Sequence, residues 1–271
     1  MSTSIAPRVT FARVVRAEWV KTGTVRSSYW TAALALAFTL LFAAGILYLV
    51  LLAPAADVPD PAAIVTENYG ATPSVGVLGL AFMFAYALVA VMGVLAVSPE
   101  RATGLLATTL AAVPRRTPVY NAKLLVSASI GIGVALVVGT ASVLIAQPAL
   151  AGLGLDSSFF DPEVLQSLAG GTVFLGLIAV LSTAIASLFR GTAAAMGAVL
   201  GLLVLAPALV PIIPGIGSIL AAALPSSAGM MLFQSAAQVG WQPIVTGGLV
   251  LLGWTAGAAA LGAVPFKRRD V

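Results

Sequence analysis

Residues 98–123, Ser98-Pro-Glu-Arg-Ala-Thr-Gly-Leu-Leu-Ala-Thr-Thr-Leu-Ala-Ala-Val-Pro-Arg-Arg-Thr-Pro-Val-Tyr-Asn-Ala-Lys123, set a cluster of cations (Arg101, Arg115, Arg116, Lys123) between two long apolar runs. The other Lys and Arg residues sit before residue 29, at Arg190 and after residue 266. Threaded as six membrane spans, the chain puts all thirteen on one face. The segments expected on the opposite face, around 54–73, 149–165 and 214–242, contain none. Cationic loops are retained in the cytoplasm, so this asymmetry fixes an orientation with both termini inside. Six acids (Asp57, Asp60, Glu67, Asp156, Asp161, Glu163) then fall outside and three (Glu18, Glu100, Asp270) inside.

Composition agrees. The chain is 60% hydrophobic and 8% charged, with a mean hydropathy of +1.09, which no ordinary soluble globule shows. It has no cysteine, hence no disulfide framework or thiolate metal site, and no histidine, hence no imidazole ligand or base. The net charge of +4 is not read as nucleic-acid affinity, because the basic residues lie at membrane boundaries where anionic headgroups account for them. Ala53-Pro54-Ala55 imitates a signal-peptidase site, but the apolar run 30–53 is longer than the h-region of about 7–15 residues in a signal peptide. It is read as an uncleaved span.

A helix needs about 20 apolar residues to cross a hydrocarbon core of about 30 Å. Stretches 29–53, 74–98, 124–146, 165–189, 192–210 and 243–264 qualify. The expected architecture is an all-α integral membrane protein: a cytoplasmic N-terminal segment 1–28, a six-span domain 29–266 and a cytoplasmic tail 267–271. Within it, 99–123 is a cytoplasmic loop. Segment 211–242 is uncharged but broken by Pro211, Pro214, Gly215, Gly217, Pro225 and Gly229. A seventh crossing there would put Lys267, Arg268 and Arg269 on the wrong face, so 211–242 is expected to be an external re-entrant helical pair. Broken backbone at membrane depth is tolerated where it packs on protein or lines a cavity.

The spans carry no Asp, Glu, Lys or Arg well inside their apolar runs. That argues against a proton-coupled carrier, which needs a relay or counter-ion. An intramembrane hydrolase lacks a base for its Ser or Thr. Small residues recur at helical spacing: Ser127, Gly131, Ala135 and Gly139 in the third span, Gly197/Gly201 in the fifth, Gly253/Gly257 in the sixth. Such stripes let helix backbones approach closely, either within one bundle or between subunits.

Two cytoplasmic segments carry information. Residues 9–22 form an amphipathic helix, with Phe11, Val15 and Trp19 on one face, Ala12 beside them, and Arg13, Arg16 and Lys21 largely opposite. It suits the headgroup plane, with Trp19 as an interfacial anchor. Glu18 falls near the apolar face, where a lone carboxylate is costly, so it requires a basic partner from elsewhere in the cytoplasmic layer. In the 98–123 loop, 102–113 can form about three helical turns between Pro99 and Pro114, with Leu105, Leu106, Thr109 and Leu110 as its apolar stripe. A short, partly apolar helix in the cytoplasm fits a partner's groove.

Glu18-Trp19-Val20-Lys21, then Arg26-Ser27 and Trp30, resemble the N-terminal segment of the type-2 ABC exporter permease family. Glu100, Gly104, Thr108-Thr109-Leu110, Pro114-Arg115-Arg116 and Lys123 resemble its first cytoplasmic loop, and the six-span layout agrees. The resemblance covers nearly the whole chain. It implies a bacterial plasma-membrane protein in which the N-terminal helix (Phe11, Val15, Glu18, Trp19, Lys21) is an elbow. A coupling helix around 100–112 docks on a cytoplasmic ATPase through Glu100, Arg101, Gly104, Leu105, Thr108, Arg115 and Arg116. Met83, Phe84, Tyr86, Leu202 and Leu205 become candidates for the path lining. The re-entrant pair contributes to an external gate.

The resemblance also implies two permease subunits, identical or different, and Gly197, Gly201, Gly253 and Gly257 are candidates for that contact or for internal packing. The chain has no phosphate loop, so it is expected not to be an enzyme by itself, and ATP and Mg belong to the partner ATPase. The uncharged interior favours a hydrophobic or amphiphilic cargo moved outward. Two other readings stay open: a non-transporting anchor or sensor with the same bundle, and a lipid-modifying enzyme for which Asp57, Asp60 and Glu67 are the first-loop acids.

Overall fold

The computed structural model describes residues 10–24, 61–69, 72–102, 116–155 and 158–268, with isolated positions between 33 and 44. Apart from those isolated positions, the expected first span, 29–53, lies outside the described residues, as do Gly104, Leu105, Thr108 and Arg115. Of Arg101 only the backbone is described.

In chain order the helices are α1 (Phe11–Thr24), α2 (Pro61–Tyr69), α3 (Pro73–Leu95), α4 (Ser98–Ala102), α5 (Arg116–Gly152), α6 (Pro162–Ala186) and α7 (Thr192–Leu200). After α7 the chain widens into a π-helical turn (Gly201–Leu205), then continues as α8 (Ala206–Leu209) and a 3₁₀ turn (Val210–Ile212). Short pieces follow: α9 (Gly217–Ala222), α10 (Pro225–Gly229), a 3₁₀ turn (Met230–Phe233) and α11 (Ala236–Val239). The long α12 (Trp241–Arg268) closes the chain, and no strand occurs among the described residues.

Among the described residues, five stretches are long and apolar enough to cross a membrane: Pro73–Glu100, Arg116–Gly152, Pro162–Ala186, Thr192–Ile212 and Trp241–Pro265. They coincide with the second to sixth expected spans. The chain is thus a helical, membrane-embedded protein. The third of the expected spans is longer than its apolar run, because α5 starts at Arg116 and carries Lys123 inside the helix.

The bundle is organised around α6, which packs on α3, α5 and α12. Its start is set locally: Pro162 occupies the first turn, where its missing N–H costs nothing, and the Asp161 carboxylate caps the helix by accepting from the Glu163 amide at 2.9 Å. Close packing replaces hydrophobic drive where the surroundings are apolar. Gly131 of α5 lies against the Leu175 carbonyl and Ala179, and Gly93 of α3 against Ser182. The Thr183 hydroxyl meets the Gly93 carbonyl at 3.1 Å and the Ser127 hydroxyl at 2.8 Å. The Ser127/Gly131/Ala135/Gly139 stripe therefore serves packing within the chain. Phe82, Phe174, Leu175, Ile178 and Leu203 are fully buried in this core.

The described basic residues gather at one end of the bundle, where α3 and α6 finish and α5 and α7 begin. Asp161 and Glu163 mark the opposite end. The broken segment packs at that acidic end. Its 3₁₀ turn Met230–Phe233 lies on α6 and α12.

Candidate functional site

At the basic end α1 lies across the start of α5. Its docked face is centred on Val14 and Glu18, with Val15 beside them, against Val119 and Ala122. This face is rotated from the Phe11/Trp19 stripe, and both of those side chains remain exposed. Trp19 stays available to an interface, as an anchoring indole requires.

The docked face brings a carboxylate into the protein, and Glu18 has the basic partner its position demanded. Lys123 Nζ donates to Glu18 Oε2 at 2.7 Å, and Lys21 Nζ to Glu18 Oε1 at 2.8 Å. The same Lys123 ammonium lies 2.7 Å from Glu100 Oε2, an ion-pair contact off the line of a hydrogen bond. Lys21 stands 3.6 Å from Glu100 Oε1. The Ala96 carbonyl, at the end of α3, sits 3.4 Å from Lys123 Nζ.

An ammonium has three N–H donors and no acceptor. Lys123 finds three acceptor groups around it, on α1, on α4 and at the end of α3. Two acids and two bases balance, which is what allows a Lys side chain only 1% exposed and a Glu side chain 5% exposed to stay inside. The chemical capacity of this arrangement is mechanical. One buried cation holds carboxylates from two elements, α1 and α4, and α4 leads straight into residues 103–115. A shift of either carboxylate strands the ammonium shared with the other.

Of the residues expected to meet an ATPase, Glu100 is inside this junction. Arg116 opens α5, half-buried. Among the elbow residues, Glu18 and Lys21 belong to the junction, Val15 is half-buried, and Phe11 and Trp19 face outward. In the sequence Lys123 reads as a boundary charge and as part of the loop resemblance, not as the partner of Glu18. The signal that could have singled it out was its place directly before Leu124-Leu125-Val126, deeper than any other cation of that loop.

The acidic end is tied differently. Glu163 Oε2 accepts from Thr72 at 3.0 Å and from Ser235 at 2.8 Å, joining the starts of α3 and α6 to the broken segment. Gln166 donates to the Leu232 and Gln234 carbonyls at 3.3 and 3.0 Å, and Ser167 to the Phe233 carbonyl at 2.7 Å. Phe233 is thereby pressed between Phe82 and Phe174, at centroid distances of 5.6 and 5.4 Å.

The path candidates do not converge on one surface of the single chain. Tyr86 is buried, its hydroxyl 3.4 Å from the Leu203 carbonyl, and Phe84 and Leu202 are half-buried. Met83 and Leu205 are exposed on the outside. The four glycines Gly197, Gly201, Gly253 and Gly257 face open space among the described residues: a methyl added at any of them meets nothing within 4 Å. They do not pack against the described helices.

No protein-family model matches this chain and no curated protein matches it, so its function is argued from the geometry of its own residues.

Proposed function

We propose that the chain is the membrane-spanning permease subunit of an ATP-binding-cassette exporter in the bacterial plasma membrane, with both termini cytoplasmic. It moves a hydrophobic or amphiphilic cargo outward. A separate cytoplasmic ATPase, which holds ATP and Mg, supplies the energy, and a second permease subunit completes the path. The observation that carries this reading is the buried junction of Glu18, Lys21, Glu100 and Lys123. It fastens a helix lying across the basic end to the root of the 103–115 loop, which is the arrangement an external motor needs to move a bundle by pushing one loop. Closure of the ATPase pair on ATP would displace the loop and pull Glu100. Through Lys123 the displacement reaches α1 and α5 together. The bundle responds only if ATP binds the closed ATPase better than the open one.

The test is recovery of the tagged chain in mild detergent with mass identification of what accompanies it. A P-loop ATPase is the expected companion. Recovery without any nucleotide-binding protein, from membranes in which the chain is fully extracted, would count against the reading. A functional variant sharpens it. Coupling free energies of about 1–3 kcal/mol correspond to about 5–150-fold effects. Glu100→Ala is therefore expected to lower cargo-stimulated ATP hydrolysis about fivefold or more without reducing membrane insertion, and unchanged coupling would remove Glu100 from the transmission.

The outward glycines bear on the second subunit. Two helix backbones approach closely only over small side chains. Gly197→Leu with Gly201→Leu is expected to reduce the cross-linked dimer in native membranes about tenfold. An unchanged dimer yield would move the subunit contact to another face.

A further inference from the structure

The segment between the π-helical turn and Pro225 is attached to the body in an unusual way. In an α-helix the Leu203 carbonyl would accept from the amide of residue 207, but that residue is proline and has no N–H. The helix responds by widening over Gly201–Leu205, where the Ala206 amide reaches back to the Gly201 carbonyl. The Leu203 carbonyl is instead served from outside its own helix: Ser226 donates to it at 2.8 Å and Tyr86 lies at 3.4 Å. Beyond this turn Leu209, Ile212, Ile213, Ile216, Ile219 and Leu220 are all exposed. The buried residue in that stretch, Gly217, is covered by the stretch itself: a methyl added there would run into the Val210 and Pro211 carbonyls. At the far end Leu224 is extended, with φ −72° and ψ 144°, before Pro225 starts α10. The Trp254 indole donates to the Ala223 carbonyl at 2.9 Å.

We infer that residues 206–222 form a self-contained apolar flap. It is hinged at the π-helical turn and at Leu224, and latched at its two edges: Ser226 holds the Leu203 carbonyl within the first hinge, and Trp254 holds the Ala223 carbonyl directly before the second. Each part of the inference has its own physical basis. π-Helical turns hold weaker hydrogen-bond geometry than α-turns and concentrate at moving sites. A proline-bearing break of this kind is an identifiable cause of bending. The flap moves as a unit because, among the described residues, its short helical pieces pack chiefly on one another and on the turns at its two ends. It moves without transferring charge through an apolar medium, since residues 191–266 carry no charged side chain. The latches are single hydrogen bonds, each of a strength that ordinary thermal opening overcomes. By contrast, residues 230–236 are clamped by Gln166, Ser167 and Glu163 and stay with the body. The inference goes beyond the exporter reading and concerns the chain alone, so it stands or falls without an ATPase present.

The chain has no cysteine, so two introduced thiols are the sole labelling sites. Ile219→Cys on the flap and Leu249→Cys on α12, both exposed in the parent, would carry nitroxide labels in the full chain reconstituted in lipid nanodiscs. Double electron–electron resonance then reads the distance distribution. In this background Ser226→Ala combined with Trp254→Phe is expected to at least double its width and add a longer population. Amide exchange over 206–222 is expected to rise about tenfold in the same variant, with α6 unchanged. Pro207→Ala, which returns an N–H to the helix, is expected to narrow the distribution and to make Ser226→Ala nearly silent. An unchanged width in the latch variant would overturn the inference, as would a flap equally broad with and without Pro207. Faster exchange spread through α6 would also overturn it, because the latches would then hold the whole bundle and not a flap.

Discussion

Lys123→Met is expected to destabilise the protein by about 3–5 kcal/mol, the cost of breaking a buried ion pair by removing one partner. The methionine fills most of the volume of the lysine stem. What is lost is the ammonium, and two carboxylates remain behind it. Glu18 is 5% exposed and Glu100 14% exposed, so neither can recover its hydration without moving. Lys21 stays within reach of both but cannot neutralise two acids. The weakest attachment should yield first. α1 is held by Val14, Val15, Val119 and Ala122 and by this junction, and its Phe11 and Trp19 face away. Undocking of α1 is the expected result, read as fast amide exchange over 11–24 and as a lower midpoint in a denaturant titration of the detergent-solubilised chain. The companion variants separate charge from shape. Glu18→Gln added to Lys123→Met removes one stranded charge and should recover about half of the loss. Lys21→Met should cost less than Lys123→Met, because Lys21 is 28% exposed against 1% for Lys123 and solvent can screen part of the charge it leaves. A Lys123→Met protein as stable as the parent would show that the junction is not what holds α1.

The parts of this fold visible in the sequence are those governed by a single physical rule. Span positions follow from the length of apolar runs, and the second to sixth agree with the helices to within a few residues except for α5. That helix is longer because helical backbone continues wherever residues have adequate propensity, whether or not they are apolar. Tyr120, Asn121 and Lys123 are helical although polar or charged groups interrupt the run. The need of Glu18 for a cation was visible, since helical spacing alone places it near the apolar face. Which cation was not, because the choice among Lys123, Arg115 and Arg116 depends on how α1 crosses α5, and periodicity says nothing about crossing. The direction in which the glycines point was equally hidden. A small-xxx-small stripe has the same spacing whether it packs inward, as Gly131 and Gly139 do, or meets none of the described helices, as Gly197 and Gly253 do. The broken segment could be recognised by its prolines and glycines. Its clamp could not, because Gln166 and Ser167 read as ordinary first-turn residues until Phe233 arrives beside them. At the other end of that segment, Pro207 was a warning that a carbonyl four residues earlier lacked its donor. Ser226 as the replacement is a fact of tertiary structure.

Gly170→Ala tests that clamp. A methyl at residue 170 would fall inside the Leu232 carbonyl, with the Phe233 amide nitrogen 3.1 Å away. The obstacle is backbone, so no rotamer change relieves it, and either α6 or residues 230–236 must shift. Both options break something specific. The Gln166 donations to the Leu232 and Gln234 carbonyls and the Ser167 donation to the Phe233 carbonyl depend on that approach. Overpacking costs about 1–3 kcal/mol, occasionally more, and each lost hydrogen bond about 0.5–1.5 kcal/mol. The expected loss is therefore about 3–5 kcal/mol despite the better helix propensity of alanine. Gly253→Ala is the matched control. It also lies in a long apolar helix, but a methyl there meets nothing within 4 Å, so the propensity gain of about 1 kcal/mol should appear unopposed. The comparison is read in one denaturant titration. It decides whether Phe233 is wedged between Phe82 and Phe174 by contact with α6 or by the aromatic cluster alone. In the first case the Gly170 variant loses the clamp and protection of the 230–236 amides falls with it. If Gly170→Ala matches Gly253→Ala in stability, the close approach is not required and the aromatic cluster holds the segment by itself.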